Sequence, residues 1–265
     1  MTATSPQPER SLLGPREPDR EVVCDKHGAF VSRHVYRAIW TQCPTCEAEA
    51  RSQREAAEEA ARIARRREHL AELLQTTAIP SRFIGRTFEG FAAPTPAHQH
   101  ALTVCRDYAE QFDDFARRGH GLILSGLPGT GKSHLAACIL QALIERRQVR
   151  YTTCMDMIRA IRDTWRRDSE RTESQVLGAL QRLDLLAIDE LGMQYGTEGE
   201  QTILFDVLDR RYREVRPTIV LTNQDQRGLR EFVGDRTFDR LAEVSRWVPF
   251  DWPSYRPQAR REAAA

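Results

Sequence analysis

The stretch Gly126-Leu127-Pro128-Gly129-Thr130-Gly131-Lys132-Ser133 fits the pattern G-x-x-x-x-G-K-[ST] in full. It follows an apolar run, GLILS, and precedes a helix-like one, SHLAACIL. In that context glycines turn backbone N–H groups inward around a β-phosphate, and a helix N-terminus adds its partial positive charge. The residues expected to line a bound nucleotide are Gly126, Pro128, Gly129, Thr130, Gly131, Lys132, Ser133 and His134. Lys132 would reach the β- and γ-phosphates, and the Ser133 hydroxyl would ligate Mg²⁺. A second motif, Leu185-Leu186-Ala187-Ile188-Asp189-Glu190, carries two carboxylates to the end of an apolar strand, where an open α/β sheet keeps its site. Paired with the loop, Asp189 is expected to hold the Mg²⁺ through water and Glu190 to polarise an attacking water, which is the chemistry of ATP hydrolysis. Asn223 ends the run PTIVLTN. It could orient that water between the γ-phosphate and Glu190, or it could simply supply turn chemistry at a strand end.

A separate cluster lies near the N-terminus. Cys24-Asp25-Lys26-His27 and Cys43-Pro44-Thr45-Cys46 form a C-x2-H … C-x2-C pair. Three thiolates and an imidazole at this spacing converge on a tetrahedral Zn²⁺ without strain. The surrounding residues have little apolar content to fold around, so metal binding would supply the folding free energy. No catalytic acid lies nearby, which makes the expected site structural. His34 is a lesser ligand candidate. Cys105, Cys138 and Cys154 sit in apolar, element-like surroundings and read as buried thiols.

Positioning the phosphate-binding groups takes strands that alternate with helices. GLILSG, QVRYTTC, LDLLAIDE, PTIVLTN and SRWVPFDW read as strands. HQHALTVCRDYAEQFDDFARR, SHLAACILQALIERR, MDMIRAIRDTWRR and EQTILFDVLDRRYREV read as helices. Strands short enough to be buried on both faces and separated by helices argue for a parallel, three-layer α/β sheet. Upstream, Glu47 to Gln75 has no Pro or Gly and is rich in Ala, Glu and Arg. It reads as an exposed helix with acid–base pairs at helical spacing, and Pro80 stops it. The expected organisation is a disordered tail over 1–20, a zinc-binding module over 21–50, a helical connector over 51–78, a nucleotide-binding domain over 80–257 and a tail over 258–265.

The bulk numbers set limits. A chain of 265 residues has room for one sizeable α/β domain and a small appendage. Charged residues make up 29% and nearly balance at a formal +1, so any affinity for nucleic acid must be local. No apolar run approaches the roughly 20 residues that span a bilayer. MTATSPQPER lacks the apolar stretch of a secretory signal. A cytoplasmic protein with no membrane partner is therefore expected, and in that compartment the six cysteines should not pair as disulfides.

Taken in order, GLPGTGKSHLAA, LDLLAIDELG, IVLTN, FDRLAE and WVPFDWPSYR resemble the bacterial and phage DnaC-type replicative helicase loaders, AAA+ ATPases related to the transposition helper IstB. The resemblance covers residues 82–257, and the joint presence of Asp239-Arg240-Leu241 and the WPSYR tail is more specific than the phosphate loop. It implies a P-loop AAA+ domain without a full lid domain, since few residues follow Trp252. It implies that Arg240, an arginine before a helix, reaches across to a neighbour's γ-phosphate, with Arg236 the weaker candidate. The competing reading of Arg240 is an intrachain pair with Asp239 or Glu243. Arg256 matches the second sensing arginine, which contacts nucleotide in cis. The active site would then be complete only between subunits of a spiral or hexameric homo-oligomer formed with ATP.

The same resemblance implies single-stranded DNA along the inside of that assembly. Trp165, on the helix after the second strand, would stack on a base, with Arg162, Arg166 and Arg167 tracking phosphates. A helical tryptophan also commonly lies in a core. Thr197 would replace a serine hydroxyl of the family, and Tyr195 would substitute for an aromatic whose place Gly199 takes. The implied partner is a hexameric replicative DNA helicase, with ATP hydrolysis timing release. The zinc module is a departure from the family's form, and residues 21–75 are themselves read as recruiting a partner, either the helicase or an initiator. The alternative is an IstB-like helper ATPase that remodels DNA and delivers a transposase. A zinc-stabilised adaptor with a vestigial ATPase is disfavoured by the complete set Lys132, Asp189, Glu190 and Arg240.

Overall fold

The computed structural model describes residues 17–193, 197–255 and 257. Of the residues singled out above, Tyr195 and Arg256 lie outside them, as do the tail expected over 258–265 and residues 1–16 of the other tail. The chain parts into two compact units, one ending at Glu68 and the other beginning at His69.

The first unit holds two small hairpins. β1 (Arg20–Cys24) pairs antiparallel with β2 (Gly28–Ser32), and β3 (His34–Tyr36) with β4 (Ile39–Trp40). Arg20, expected in a tail, already belongs to β1. The Ser32 hydroxyl donates to the Thr41 carbonyl at 2.6 Å, and the Arg33 N–H donates to Thr41 Oγ1 at 2.8 Å. Helix α1 (Pro44–Thr77) starts inside the Cys-Pro-Thr-Cys motif, with Pro44 as its first residue, where its missing N–H costs nothing. Residues 47–69 of α1 are exposed, as the charge pattern requires. Among the described residues up to Glu68, only Ser32 and Cys43 are buried, so this unit has almost no apolar core.

The second unit is built on five parallel strands: β5 (Gly121–Gly126), β6 (Val149–Thr153), β7 (Leu185–Leu191), β8 (Thr218–Thr222) and β9 (Ser245–Phe250). Their order is β6-β7-β8-β5-β9, so the phosphate-loop strand has a neighbour on each side. All five lie where the apolar runs place them. Alternation along the strands feeds two cores. Leu122 and Leu124 join Ala187, Ile219 and Val248 under α2 (Pro96–Glu110) and α4 (Lys132–Leu143). Ile123 joins Leu186, Ile188 and Val220 on the other face. There they meet α5 (Cys154–Arg162), α6 (Glu173–Arg182), α7 (Glu198–Arg213), α8 (Gln226–Val233) and α9 (Asp235–Val244). This is the expected three-layer sheet. The end of α1 contributes Leu70, Leu73 and Leu74 to the first of these cores.

Three details differ from the sequence pattern. The helix expected over 98–118 is broken at Gln111 into α2 and α3 (Phe112–Arg117). Helix α5 stops at Arg162, and Trp165 stands on a following 3-10 turn, Asp163–Trp165. Arg240 lies inside α9 rather than before a helix. Cys105, Cys138 and Cys154 are buried free thiols, and Cys24, Cys43 and Cys46 are unpaired too. A cation sits in the core as well. Arg211 is 1% exposed and donates to the carbonyls of Leu180, Leu183 and Pro217 and to Thr218 Oγ1. Burial lowers its pKa to about 9, still high enough to keep the charge at neutral pH. Among the described residues no helix is long and apolar enough to cross a membrane.

Candidate functional site

β5 delivers the loop to the C-terminal edge of the sheet, and α4 begins at Lys132, within the motif. Two glycines answer to crowding. At Gly126, φ 147, a Cβ would lie 2.3 Å from the Phe250 carbonyl oxygen on β9. At Gly131, φ 99, it would lie 2.5 Å from the Phe91 ring. The loop is thus held between β9 and Phe91. The tail motif closes the other side: Trp252 Nε1 donates to the Thr130 carbonyl at 3.0 Å, and the Tyr255 N–H to the Gly129 carbonyl at 3.0 Å. Trp252 also stacks on His98, ring centres 4.1 Å apart. These braces were not visible in the sequence, although the WPSYR tail itself was.

Lys132 is buried, and its Nζ donates to the carbonyls of Gly126 at 2.6 Å and Leu127 at 2.8 Å. His134, expected beside the nucleotide, has Nε2 paired with the Thr87 carbonyl at 2.9 Å and its ring edge-on to Phe91. It braces the segment before α2, as does Gln141 through the carbonyls of Phe83 and Arg86.

The structure brings the two magnesium-binding candidates together. Ser133 Oγ donates to Asp189 Oδ2 at 2.8 Å. The Tyr151 hydroxyl, from the neighbouring strand β6, donates to the same oxygen. Burial, and then the Asp189 charge, push the Tyr151 phenol above its ordinary range, so it remains a donor. Glu190 follows in the left-handed region, φ 59, at a break in register between Ile188 and Leu191. Its N–H turns back to Asp189 Oδ1 at 2.7 Å. A non-glycine residue held there costs on the order of 1 kcal/mol, and such strain collects at functional sites. Asn223 is exposed directly after β8, the strand between β7 and β5, and its Nδ2 donates to Met193 Sδ at 3.5 Å. It stands on the same edge as Glu190, one strand away.

The arginines are disposed differently from the sequence expectation. The Arg240 guanidinium pairs with Asp209 on α7, a residue buried to 5% exposure, and lies over the rings of Phe205 and Tyr212. Asp209 also pairs with Arg213. The intrachain partners weighed from sequence are taken by others: Asp239 by Arg230, Glu243 by the Tyr212 hydroxyl. Arg236 is exposed in the first turn of α9. Trp165 is 59% exposed, and its Nε1 donates to Glu173 at 2.6 Å. Arg166 is exposed beside Asp168. The Thr197 hydroxyl caps α7 by accepting the Glu200 N–H, in a capping box with the Glu200 side chain. Arg162 reaches Glu200 at 3.9 Å, which joins the Trp165 turn to the start of α7.

The profile of the IstB-like ATP binding protein family matches residues 53–263. The chain belongs to the IstB/DnaC family. It is 39% identical over 172 residues to the replicative helicase loader DnaC of Escherichia coli strain K12, covering 64% of this chain and 69% of that one. The DnaC loader of Buchnera aphidicola subsp. Baizongia pistaciae is 34% identical over 189 residues, 71% of this chain and 76% of that one. A crystal structure of the DnaC helicase loader superposes with a TM-score of 0.58 at 20% identity, over 64% of this chain and 99% of that one. AMPPCP-bound DnaA from Aquifex aeolicus gives 0.53 at 20% identity, over 64% and 51%. These matches place the second unit in the AAA+ fold of the IstB/DnaC family, an ATP-binding family whose homology supports a loader role.

The metal cluster precedes the residues that the IstB/DnaC profile matches, so it stands on its own geometry. One ligand atom from each of Cys24, His27, Cys43 and Cys46 lies within 4.8 Å of all the others. His27 Nδ1 is 3.8, 3.7 and 3.3 Å from the sulfurs of Cys24, Cys43 and Cys46, and Cys24 Sγ is 3.5 Å from Cys46 Sγ. A tetrahedron with ordinary Zn–S and Zn–N bonds has edges of about 3.8 Å between sulfurs and about 3.6 Å between sulfur and nitrogen. The donor set therefore fits Zn²⁺. His27 Nε2 pairs with Glu49 on α1 at 3.0 Å, which turns Nδ1 toward the sulfurs. Sequence reasoning missed Glu49, although it lies three residues past Cys46, one helical turn on. Backbone N–H groups of Lys26 and His27 hold the Cys24 thiol down to about 6, and Cys24 in turn pushes Cys46 up to about 11. His34 stays outside the cluster; its ring nitrogens face Arg37 and Glu17.

Proposed function

We propose that this protein is an ATP-dependent loader of a hexameric replicative DNA helicase, acting on single-stranded DNA in the cytoplasm, with ATP hydrolysis timing release. One observation carries the reading: Ser133 and Asp189 meet at 2.8 Å behind a complete phosphate loop, in a chain 39% identical to a named helicase loader. Lys132 would leave the loop carbonyls for the β- and γ-phosphates of ATP, Ser133 and Asp189 would hold Mg²⁺, Glu190 would polarise the attacking water and Asn223 would orient it. Arg256 would contact the nucleotide in cis. Trp165, Arg166 and Thr197 would meet the DNA. The exposure of the indole supports stacking, while the capping role of Thr197 leaves it the weakest member of the set. The unit carrying Cys24, His27, Cys43 and Cys46 would hold Zn²⁺ and recruit the partner.

Arg240 would complete a neighbour's pocket in a spiral or hexameric assembly. Its pair with Asp209 would then have to open. Arg213 shares Asp209, so the buried carboxylate would not be stranded when Arg240 leaves. Arg240→Ala should bind ATP as the parent does, yet lose DNA-stimulated turnover by a factor on the order of 10³. Mixing it with Lys132→Ala, whose arginine is intact and whose pocket is dead, should restore part of the rate. Parental turnover by Arg240→Ala alone would refute a role in trans.

The partner is tested by affinity capture of the tagged full-length chain, with ATP, against purified replicative helicase. Retention of the helicase and a preference for single strands are expected, and deleting residues 21–68, which spares the core leucines Leu70, Leu73 and Leu74, should abolish retention while ATP binding persists. Capture of a transposase with a preference for duplex DNA would put the IstB-like reading in its place.

A further inference from the structure

Asp189 receives three hydrogen bonds. Oδ1 accepts the Glu190 N–H, and Oδ2 accepts both Ser133 Oγ and the Tyr151 hydroxyl. The first two donors belong to the site already described. The third comes from an adjoining strand. β6 pairs with β7 so that Tyr151 lies opposite Ala187 and Thr153 opposite Asp189. Tyr151 therefore sits one pleat back from the carboxylate, with its side chain on the same face of the sheet, and is 3% exposed in the core beneath α4. Its ring anchors it there while the hydroxyl reaches the edge. A carboxylate has about four acceptor positions, and three donors leave little freedom to rotate.

We propose that Tyr151 is a positioning residue for magnesium: its hydroxyl aims the Asp189 carboxylate at the water that the metal carries. The proposal rests on the reading of Ser133 and Asp189 as the Mg²⁺–ATP site. Ser133 alone cannot perform this task, because its oxygen is wanted by the metal itself, whereas the Tyr151 oxygen is tied to the core through its ring. Outer donors of this kind orient metal-binding carboxylates, and removing one typically lowers metal affinity by 10–100-fold.

The test is a titration of Mg²⁺ into the full-length chain with a fluorescent ATP analogue, for the parent, Tyr151→Phe and Tyr108→Phe. Tyr108 is a second buried tyrosine whose hydroxyl donates to the His120 carbonyl at 2.9 Å, at the far end of β5. It controls for the loss of one buried hydrogen bond. Tyr151→Phe should raise the Mg²⁺ concentration for half-maximal binding about 10-fold. Binding in excess EDTA should be unchanged, and Tyr108→Phe should leave the titration where it is. On an Asp189→Asn background Tyr151→Phe should move nothing further, because the oxygen it aims has changed. A Tyr151→Phe midpoint within twofold of the parent, or an equal shift in Tyr108→Phe, would overturn the assignment. A parent that binds the nucleotide with no dependence on Mg²⁺ would instead overturn the site reading beneath it.

Discussion

Replacing Glu190 with Gln will leave ATP bound and slow its hydrolysis by a factor on the order of 10³. The expectation follows from where the backbone puts this side chain. Asp189 is engaged by Ser133, Tyr151 and the Glu190 N–H, so it is held in place for the metal-binding role proposed for it. Glu190, one residue on, breaks the strand register at φ 59 and is exposed at the edge beside Asn223. That division suits a metal holder and a water polariser: one carboxylate locked, the next turned outward. The amide of Gln keeps the size and can still accept a hydrogen bond, but it does not take up the proton that the water gives away. Binding of an ATP analogue should stay within about twofold of the parent, since the loop and Lys132, the groups expected to hold the phosphates, are unchanged. Phosphate release, measured with DNA and partner present, should fall to near background. ATP-dependent assemblies should then persist, visible by sedimentation as species that the parent dissolves on turnover. A variant that turns over within tenfold of the parent would move the general base elsewhere, with a second carboxylate the place to look.

How far this could be read from residue order depended on the range of the interaction. The inner strands β5, β7 and β8 were legible because they are buried on both faces and write themselves as short apolar runs, as in Leu185–Ile188, whereas the edge strands β6 and β9, with Arg150 and Arg246 exposed, were legible from their place in the alternation with helices. The phosphate loop was legible because its chemistry is local: glycines, a lysine and a hydroxyl at fixed offsets. Helices α6, α8 and α9 were not legible as elements. Each is at most ten residues long, and Gly234 separates α8 from α9 at once. The fate of Arg240 was hidden for a different reason. Nearby acids, Asp239 adjacent in sequence and Glu243 at helical spacing, invited a local pair, but the partner is Asp209 on another helix, 31 residues upstream. Tyr151 gave no signal at all. A tyrosine in a strand reads as core, and only the pairing of β6 with β7 reveals that its hydroxyl lands on Asp189. The hairpins of the first unit were equally silent, because their valines face solvent and supply no buried face to alternate with a polar one.

That same poverty of core leads to the other large effect. Stripping the metal from the first unit with a strong chelator, or replacing Cys43 with Ser, will unfold β1 through β4 while the nucleotide site keeps its affinity for ATP. Two-stranded hairpins are marginal on their own in water. Here Val23, Val31, Val35 and Ile39 are more than half exposed, so no apolar burial compensates for ordering them. What holds the hairpins to the start of α1 is the convergence of Cys24 and His27 with Cys43 and Cys46. In such a unit the free energy of metal binding is the free energy of folding. Cys43 is the most informative ligand to change, because it is buried at the junction of β4 and α1. One zinc per chain is expected by elemental analysis of the parent, and less than a tenth of that in Cys43→Ser. Limited proteolysis should cut within residues 20–43 only after the metal is removed. Acid should act as chelator does. Cys24, held near 6, is already a thiolate at neutral pH, but Cys46, pushed up to about 11, binds metal only by losing a proton. Zinc affinity should therefore fall as the pH is lowered, with the steepest loss of structure once Cys24 also takes up its proton below 6. Hairpins that stay protease-resistant without metal would mean that something other than the Cys and His ligands folds this unit.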